Sequence, residues 1–330
     1  MLTLVESAVP AAMPERMPAD RPAYRPYVAH VAGLRRLGEH SVRVTFSGAD
    51  FDSFGTAGLD QRIKIVFPLP GIGVSDIGAA DAETIDGGTW YARWRALPDE
   101  ARNPFRTYTI RAVRPDAREI DVDFVAHDDS NGHAGPAARW LRSAVLGDEL
   151  VIVGPDARSA HAATGLDWHP GCATVLLLAG DETAAPAICA ILESLPQASR
   201  AHAFLEVAGT PDARVDATAA LPPGCEITWL PRGAEAHGTL LDAAVRGWVA
   251  RNRDSIAVLS AAQALDDIDV DRDLLWESPG AAPDSNFYAW LAGEASVIKQ
   301  LRRFLVSETG IDRKRVAFMG YWRHGRAEAQ

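Results

Sequence analysis

Short runs in which apolar and polar residues alternate fill the first half of the chain. Val42-Arg43-Val44-Thr45-Phe46, Ile63-Lys64-Ile65-Val66-Phe67 and Ile120-Asp121-Val122-Asp123-Phe124-Val125 all repeat with a period near two. That period puts one set of side chains on a core and the other toward solvent, as half-buried strands require. Gly and Pro punctuate such runs from Tyr24 to about Asp156, which predicts an antiparallel β-barrel. The Gly-, Ala- and Asp-rich stretch 68–88 reads as a loop. One helix is expected from about Pro136 to Ala144, with Pro136 suited to its first turn.

After Pro155 the texture changes. Residues 159–170 read as a linker, and Thr174-Val175-Leu176-Leu177-Leu178-Ala179 is a continuous apolar run, suited to a strand buried on both faces. Ala184, Ala187, Ile188, Ile191, Leu192 and Leu195 follow at helical spacing. Strands are expected at 203–207, 226–230, 287–291 and 315–319, and helices around 240–248 and 297–305. Strands alternating with helices predict a doubly wound parallel sheet with ligands at the carboxyl ends of its strands. Residues 256–259 suit a strand or a helix, and the acidic stretch 266–273 reads as a surface insertion. The expected division is a loose tail over 1–23, a barrel domain over 24–156, a linker over 157–172 and an α/β domain over 173–330.

A length of 330 residues suits two domains, and 47% hydrophobic with 23% charged residues is ordinary for a globular chain. The formal net charge of -11 argues against general nucleic-acid binding, which needs a basic stripe. No stretch has the length of a membrane span, and the opening Met1-Leu2-Thr3-Leu4-Val5-Glu6 makes a poor secretion signal. Cys172, Cys189 and Cys225 lack close pairing, so they read as reduced thiols of a cytoplasmic protein. The histidines are scattered without ligand spacing, and no metal site is expected.

Chemistry concentrates at Arg106-Thr107-Tyr108-Thr109-Ile110-Arg111. On a strand, Arg106 and Tyr108 point one way while Thr107 and Thr109 point the other. A flavin asks for such groups: an aromatic ring to cover it, a hydroxyl for its reactive edge and an arginine for its pyrophosphate. A plain barrel strand with exposed basic residues is the competing reading. Gly132, Gly135 and Pro136 leave amides exposed before a helix, which favours a phosphate. Gly180-Asp181-Glu182-Thr183 forms the first strand-to-helix turn of the second half, where a dinucleotide pyrophosphate belongs, although it lacks the G-x-G-x-x-G pattern. Thr183 is placed to cap that helix. Asp181 and Glu182, awkward beside a phosphate, either turn outward or meet a ribose. Arg232 and Arg214 are candidates for a ribose 2′-phosphate, the alternative being solvated arginines.

Arg106-Thr107-Tyr108-Thr109 resembles the Arg-x-Tyr-Ser/Thr flavin signature of the ferredoxin–NADP reductase superfamily. Four further parts of the chain resemble the siderophore-interacting proteins, flavin-dependent ferric-siderophore reductases. They are Asp60-Gln61-Arg62-Ile63-Lys64, Gly135-Pro136-Ala137-Ala138-Arg139-Trp140, Gly180-Asp181-Glu182-Thr183-Ala184, and Trp290-Leu291-Ala292-Gly293-Glu294 with Gly320-Tyr321-Trp322-Arg323. The resemblance implies an FAD-binding barrel followed by an NAD(P)H-binding domain, with NADPH favoured over NADH. It gives Tyr108 and Thr109 catalytic positions at the flavin, with Arg106 and Thr107 among its contacts. It places the flavin pyrophosphate on Gly135, Pro136, Ala137, Ala138 and Arg139, with His127 nearby. Tyr321 or Trp322 covers the other flavin face, or else plugs the two domains together. Lys64, and less directly Arg62 and Arg111, line a basic pocket for an anionic iron chelate. A ferric siderophore is the implied substrate, a ferredoxin the alternative electron donor, and a monomer the expected state. A generic flavin oxidoreductase with another acceptor and a non-enzymatic siderophore-binding module are the competing readings.

Overall fold

Thirteen residues of β1 (Tyr24–Arg36) run antiparallel both to β2 (Ser41–Ser47) and to β7 (Glu149–Pro155). Around this spine lie β3 (Arg62–Val66), β4 (Phe105–Thr109), β5 (Ala112–Arg114) and β6 (Glu119–Val125), giving the order β4-β3-β7-β1-β2-β6-β5. The computed structural model describes residues 21–126, 135–213, 221–256, 263, 265, 274–280 and 285–325. His127, Gly132, Arg214 and the acidic stretch 266–273 lie outside the described residues.

The alternating runs do what their period requires. Val44, Phe46, Ile63, Ile65, Ile120, Val122 and Phe124 are buried in one core with Tyr27 and Ile152. The sheet curls on itself: Tyr108 of β4 meets Phe124 of β6 with ring centroids 4.4 Å apart, although the two strands are not paired. Arg111 donates its backbone N–H to the Asp121 carbonyl at 2.9 Å, which tacks the end of β4 to β6. The barrel expectation is therefore met by a curled antiparallel sheet.

Stretch 68–88 is not wholly a loop. Ala82–Gly87 forms α1, with Asp81 accepting from the Thr84 N–H and Gly88 ending it at φ 66°. Trp90–Ala96 then forms α2, whose Trp90 and Trp94 sit one turn apart and bury against Val66, Val151 and Val153. The helix expected near Pro136 is α3 (Pro136–Ser143).

The second sheet contains β8 (Val175–Asp181), β9 (Arg200–Val207), β10 (Cys225–Pro231), β11 (Trp276–Glu277), β12 (Phe287–Glu294) and β13 (Val316–Trp322), in the order β10-β9-β8-β12-β13-β11. The pairs among β10, β9, β8, β12 and β13 are parallel, and β11 adds an antiparallel edge, so the sheet is mixed. Helices α4 (Ala185–Glu193), α5 (Thr239–Arg251), α6 (Arg253–Ile256) and α7 (Ala295–Arg302) cover its faces. The apolar run of β8 shows why a two-faced strand is uniformly apolar. Leu177 and Ala179 pack with α5 and α7, whereas Leu176 and Leu178 pack with α4. Strand order reverses between β8 and β12, which makes the carboxyl ends of those strands the ligand crevice of a doubly wound sheet.

Asp60 and the linker join the two sheets. Asp60 Oδ2 accepts from Trp290 Nε1 and from the Asp167 N–H, both at 3.0 Å. Gln61 Nε2 donates to the Ala162 and Thr164 carbonyls at 2.7 and 3.0 Å. The linker is thus pinned along its length.

Candidate functional site

On β4, Arg106 pairs with Ile65 and Tyr108 with Ile63, so both lie on the face that carries the barrel core. Thr107 and Thr109 take the other face, opposite Lys64 and Arg62. The Tyr108 ring is half-buried, edge-on to Phe67 at 6.5 Å as well as against Phe124. Thr109 is buried at the strand's end. The alternation expected from the sequence is the alternation found.

Near these rings the protein offers donors suited to a dinucleotide. Trp140 packs against Phe46, Phe67 and Phe124, yet its buried Nε1 has no hydrogen-bond partner among the described residues. A buried donor without an acceptor is costly, roughly 1–3 kcal/mol, unless a ligand supplies one. Gly135 stands as N-cap of α3 without a side-chain cap, and a Cβ built there meets nothing within 4 Å. Pro136, Ala137, Ala138 and Arg139 follow in the first turn, where amides face outward. The residues present fit a flavin with a pyrophosphate arm.

A narrow crevice runs between the two sheets. Ser41, Asp123 and Phe124 line its barrel side, and Glu182, Pro186 and Trp229 the other. The ring that packs on Tyr108 therefore shares a cleft with the turn that follows β8.

That turn differs from its expected form. Asp181 and Glu182 do not point outward; they are 2% and 8% exposed. Asp181 Oδ1 accepts from the Thr183 N–H at 2.9 Å and from its hydroxyl at 2.5 Å. The N-cap of α4 is Ala184, without a side-chain bond, so Thr183 is itself held by Asp181 rather than capping the helix. Asp181 Oδ2 accepts from the Glu294 N–H and from Trp322 Nε1, both at 2.8 Å. Burial, reinforced by neighbouring Glu182, pushes the Asp181 carboxyl above its ordinary value, while the donors from Thr183 and Trp322 oppose the shift. Gly180 is equally constrained, since a Cβ there would lie 2.5 Å from the Ala292 carbonyl oxygen.

Arg232 follows β10 and reaches back over the same crevice. Its guanidinium donates to Glu182 at 3.2 Å and to Glu206 at 3.3 Å. Burial works against ionisation of Glu182, but hydrogen bonds from His237 and Arg232 outweigh it and lower the carboxyl to about 2. Trp322 touches this cluster through His237, with ring centroids 5.1 Å apart. Tyr321 instead stacks on Trp276 at 5.7 Å and meets Trp290 edge-on at 6.2 Å, between the two sheets. Burial beside Asp60 and Asp167 drives the Tyr321 phenol well above its usual range.

The three basic residues assigned to a substrate pocket have separate surroundings. Lys64 lies over the Phe105 ring at 4.9 Å and donates to Thr107 Oγ1 at 3.4 Å. Arg62 pairs with Asp167 at 3.1 Å and stacks over Trp276 at 4.4 Å. Arg111 grips both oxygens of Glu193, at the end of α4, at 2.9 and 2.5 Å. The last two hold the sheets together. The sequence reading did not include Asp60, Asp167, Glu206 or Glu294 as site-shaping residues. Only Glu294, directly ahead of a helix, carries a local signal, that of a capping acid.

Comparison with known proteins matches two successive parts of the chain. The family described as "Siderophore-interacting FAD-binding domain" matches residues 30–159, and that described as "Siderophore-interacting protein" matches residues 173–325. An uncharacterized protein of Mycobacterium tuberculosis is 35% identical over 302 residues, 90% of each chain. The ferric vibriobactin reductase ViuB of Vibrio cholerae is 26% identical over 287 residues, 87% of this chain and 85% of that one. Among solved structures, a siderophore utilization protein from T. fusca is 25% identical, with a TM-score of 0.64 over 94% of this chain and 97% of the other.

Proposed function

Because the chain belongs to the siderophore-interacting protein family, we propose that it is an FAD-containing oxidoreductase that reduces ferric siderophores with electrons from NAD(P)H. The observation that carries this reading is that Tyr108 of the β4 signature and Trp140 of α3, whose buried indole N–H lacks a partner among the described residues, pack against the same Phe124 ring beside the uncapped start of α3. Bound FAD supplies the conversion of a two-electron hydride donor into single-electron deliveries. Arg106 and the first-turn amides of α3 bind the flavin pyrophosphate, Tyr108 covers the ring, and Thr109 donates its hydroxyl to the reactive edge. The protein's own part is orientation and exclusion of water.

Ferric siderophore is the substrate. One NAD(P)H and two ferric chelates give NAD(P)⁺, a proton and two ferrous ions, and the softer ferrous ion is held less well by hard oxygen donors. Lys64 is the cation offered to the anionic chelate; Arg62 and Arg111 support it from the sheet junction. Lys64→Ala raises the KM for a ferric siderophore about fivefold to tenfold and leaves flavin content unchanged, because one exposed charge contact contributes about 1 kcal/mol. A steady-state series on the chelate checks this, and an unaltered KM would remove Lys64 from the pocket. Among the described residues no helix is long and apolar enough to cross a membrane. The cytoplasm, where NAD(P)H is at hand, is the compartment in which this activity makes sense, and a ferredoxin is the alternative donor.

Anaerobic spectroscopy tests the proposal. The purified protein is expected to be yellow, to bleach with a nicotinamide donor, and to regain colour when a ferric siderophore is added, with ferrous ion captured by a chromogenic chelator. Recolouring only by unchelated dyes would indicate a different acceptor. A protein that stays colourless in excess FAD would end the reading.

A further inference from the structure

The carboxyl ends of the parallel strands hold an unusual concentration of buried acid. Asp181 ends β8, Glu206 lies next to the end of β9, and Glu294 ends β12. Each is spent on the amides that a doubly wound sheet ordinarily offers to phosphate. Asp181 takes the Thr183 N–H ahead of α4. Glu206, wholly buried, takes the Gly238 and Leu241 N–H groups of α5 at 2.7 and 2.9 Å. Glu294 takes the Ser296 and Val297 N–H groups of α7 at 2.8 and 3.1 Å. Gly293, at φ 151°, lets Asp181 close the crevice between β8 and β12, for a Cβ there would stand 2.6 Å from Asp181 Oδ2.

The cation at the expected ribose position is equally committed. In such sheets the adenosine half of a dinucleotide lies over the first strands, and its ribose is read near the end of the second. Here that place holds Arg232, 13% exposed, between Glu182 and Glu206. His237 sits within 3.8 Å of the same two carboxylates. Among the described residues, Glu182 and Glu206 thus share the Arg232 guanidinium and the His237 imidazole, with the Asp181 carboxylate beside them. A ribose hydroxyl can donate to such a surface, whereas a 2′-phosphate would bring a dianion to an acid-rich, largely water-excluded wall.

Resting on the NAD(P)H reading above, we propose that this carboxylate set makes the second lobe select NADH over NADPH, with Glu182 as the residue that excludes the 2′-phosphate. Arg232 serves as the counter-ion of Glu182 and Glu206 and does not grip the ribose. At separations near 10 Å and an effective dielectric of about 20, one added like charge weakens binding by about tenfold.

Calorimetric titration of the full chain with NAD⁺ and NADP⁺, with and without FAD, tests this independently of turnover. NAD⁺ is expected to bind about tenfold more tightly. Glu182→Gln, which keeps an acceptor for Arg232 but removes the charge, should improve NADP⁺ binding about fivefold to tenfold and so narrow or abolish the preference for NAD⁺; Glu182→Asp should preserve the preference. The wild-type protein supplies a second measurement that needs no variant. Added salt should narrow the gap by screening repulsion, whereas a phosphate held by arginine would weaken with salt. NADP⁺ binding as tightly as NAD⁺, or weakening more steeply with salt, would overturn the inference alone. Failure of both nucleotides to bind would overturn the donor reading and this inference with it.

Discussion

Arg106→Ala is expected to lower the affinity of the protein for FAD by about a hundredfold. A guanidinium bound to a pyrophosphate makes two charge-assisted hydrogen bonds, together contributing about 3 kcal/mol, and Ala replaces neither. The loss should fall on flavin binding rather than on folding. Arg106 is only half-buried, and the β3–β4 ladder that holds its backbone from Arg62 to Thr109 does not involve its side chain. Tyr108→Ala should weaken FAD less steeply but also loosen the barrel, since its ring packs between Phe67 and Phe124. Titration of the apoprotein with FAD, followed by flavin fluorescence, gives both affinities, and thermal melting separates the folding component. If Arg106→Ala binds FAD as the wild type does, the pyrophosphate is anchored elsewhere.

Asp60→Ala is expected to destabilise the protein by about 2–5 kcal/mol, because it strands the Trp290 indole N–H and the Asp167 backbone N–H in a buried junction. Asp60→Asn keeps an acceptor for both and should cost far less. The carboxyl of Asp60 is raised above its ordinary value, chiefly by burial and further by Asp167, against the hydrogen bonds from Trp290 and Asp167. A carboxyl raised on folding contributes most below its unfolded value of about 3.9, and that contribution is lost as pH climbs through the folded value. The Asn variant carries no such titration. Its stability relative to wild type should therefore increase as pH rises above about 4, as urea melts at each pH will report. A constant difference would mean that Asp60 ionises in the folded protein as it does in the unfolded chain. The result also bears on function, since Asp60 joins the barrel to β12 and so fixes how the two halves of the cleft face each other.

The elements that the sequence foretold are those with a local cause. Val44, Phe46, Ile63 and Ile65 alternate because a pleated strand has two faces, and the run 174–179 is unbroken because both of its faces are covered. The orientation of Arg106, Thr107, Tyr108 and Thr109 follows from the same pleat. Helices α1 and α2 were hidden because Gly and Asp, which mark loops, here act as caps at Asp81 and Gly88. Tyr321 and Trp322 show how little an aromatic pair discloses: one stacks on Trp276 between the sheets, while the other donates to Asp181.

By itself, then, the sequence determined the succession of a curled antiparallel sheet and a doubly wound one, and which strand carries the Arg106-Thr107-Tyr108-Thr109 motif. Period, turn residues and motif order act over a few positions and are written directly in the chain. Only the tertiary structure decided what the charged residues do. Glu206 meets amides 32 and 35 residues away, Asp60 meets Trp290 across 230 residues, and Arg111 meets Glu193 across 82. Whether an arginine grips a phosphate or neutralises a buried carboxylate depends on which backbone the fold brings beside it. A buried charge must find its partner in space, and no local pattern records that meeting.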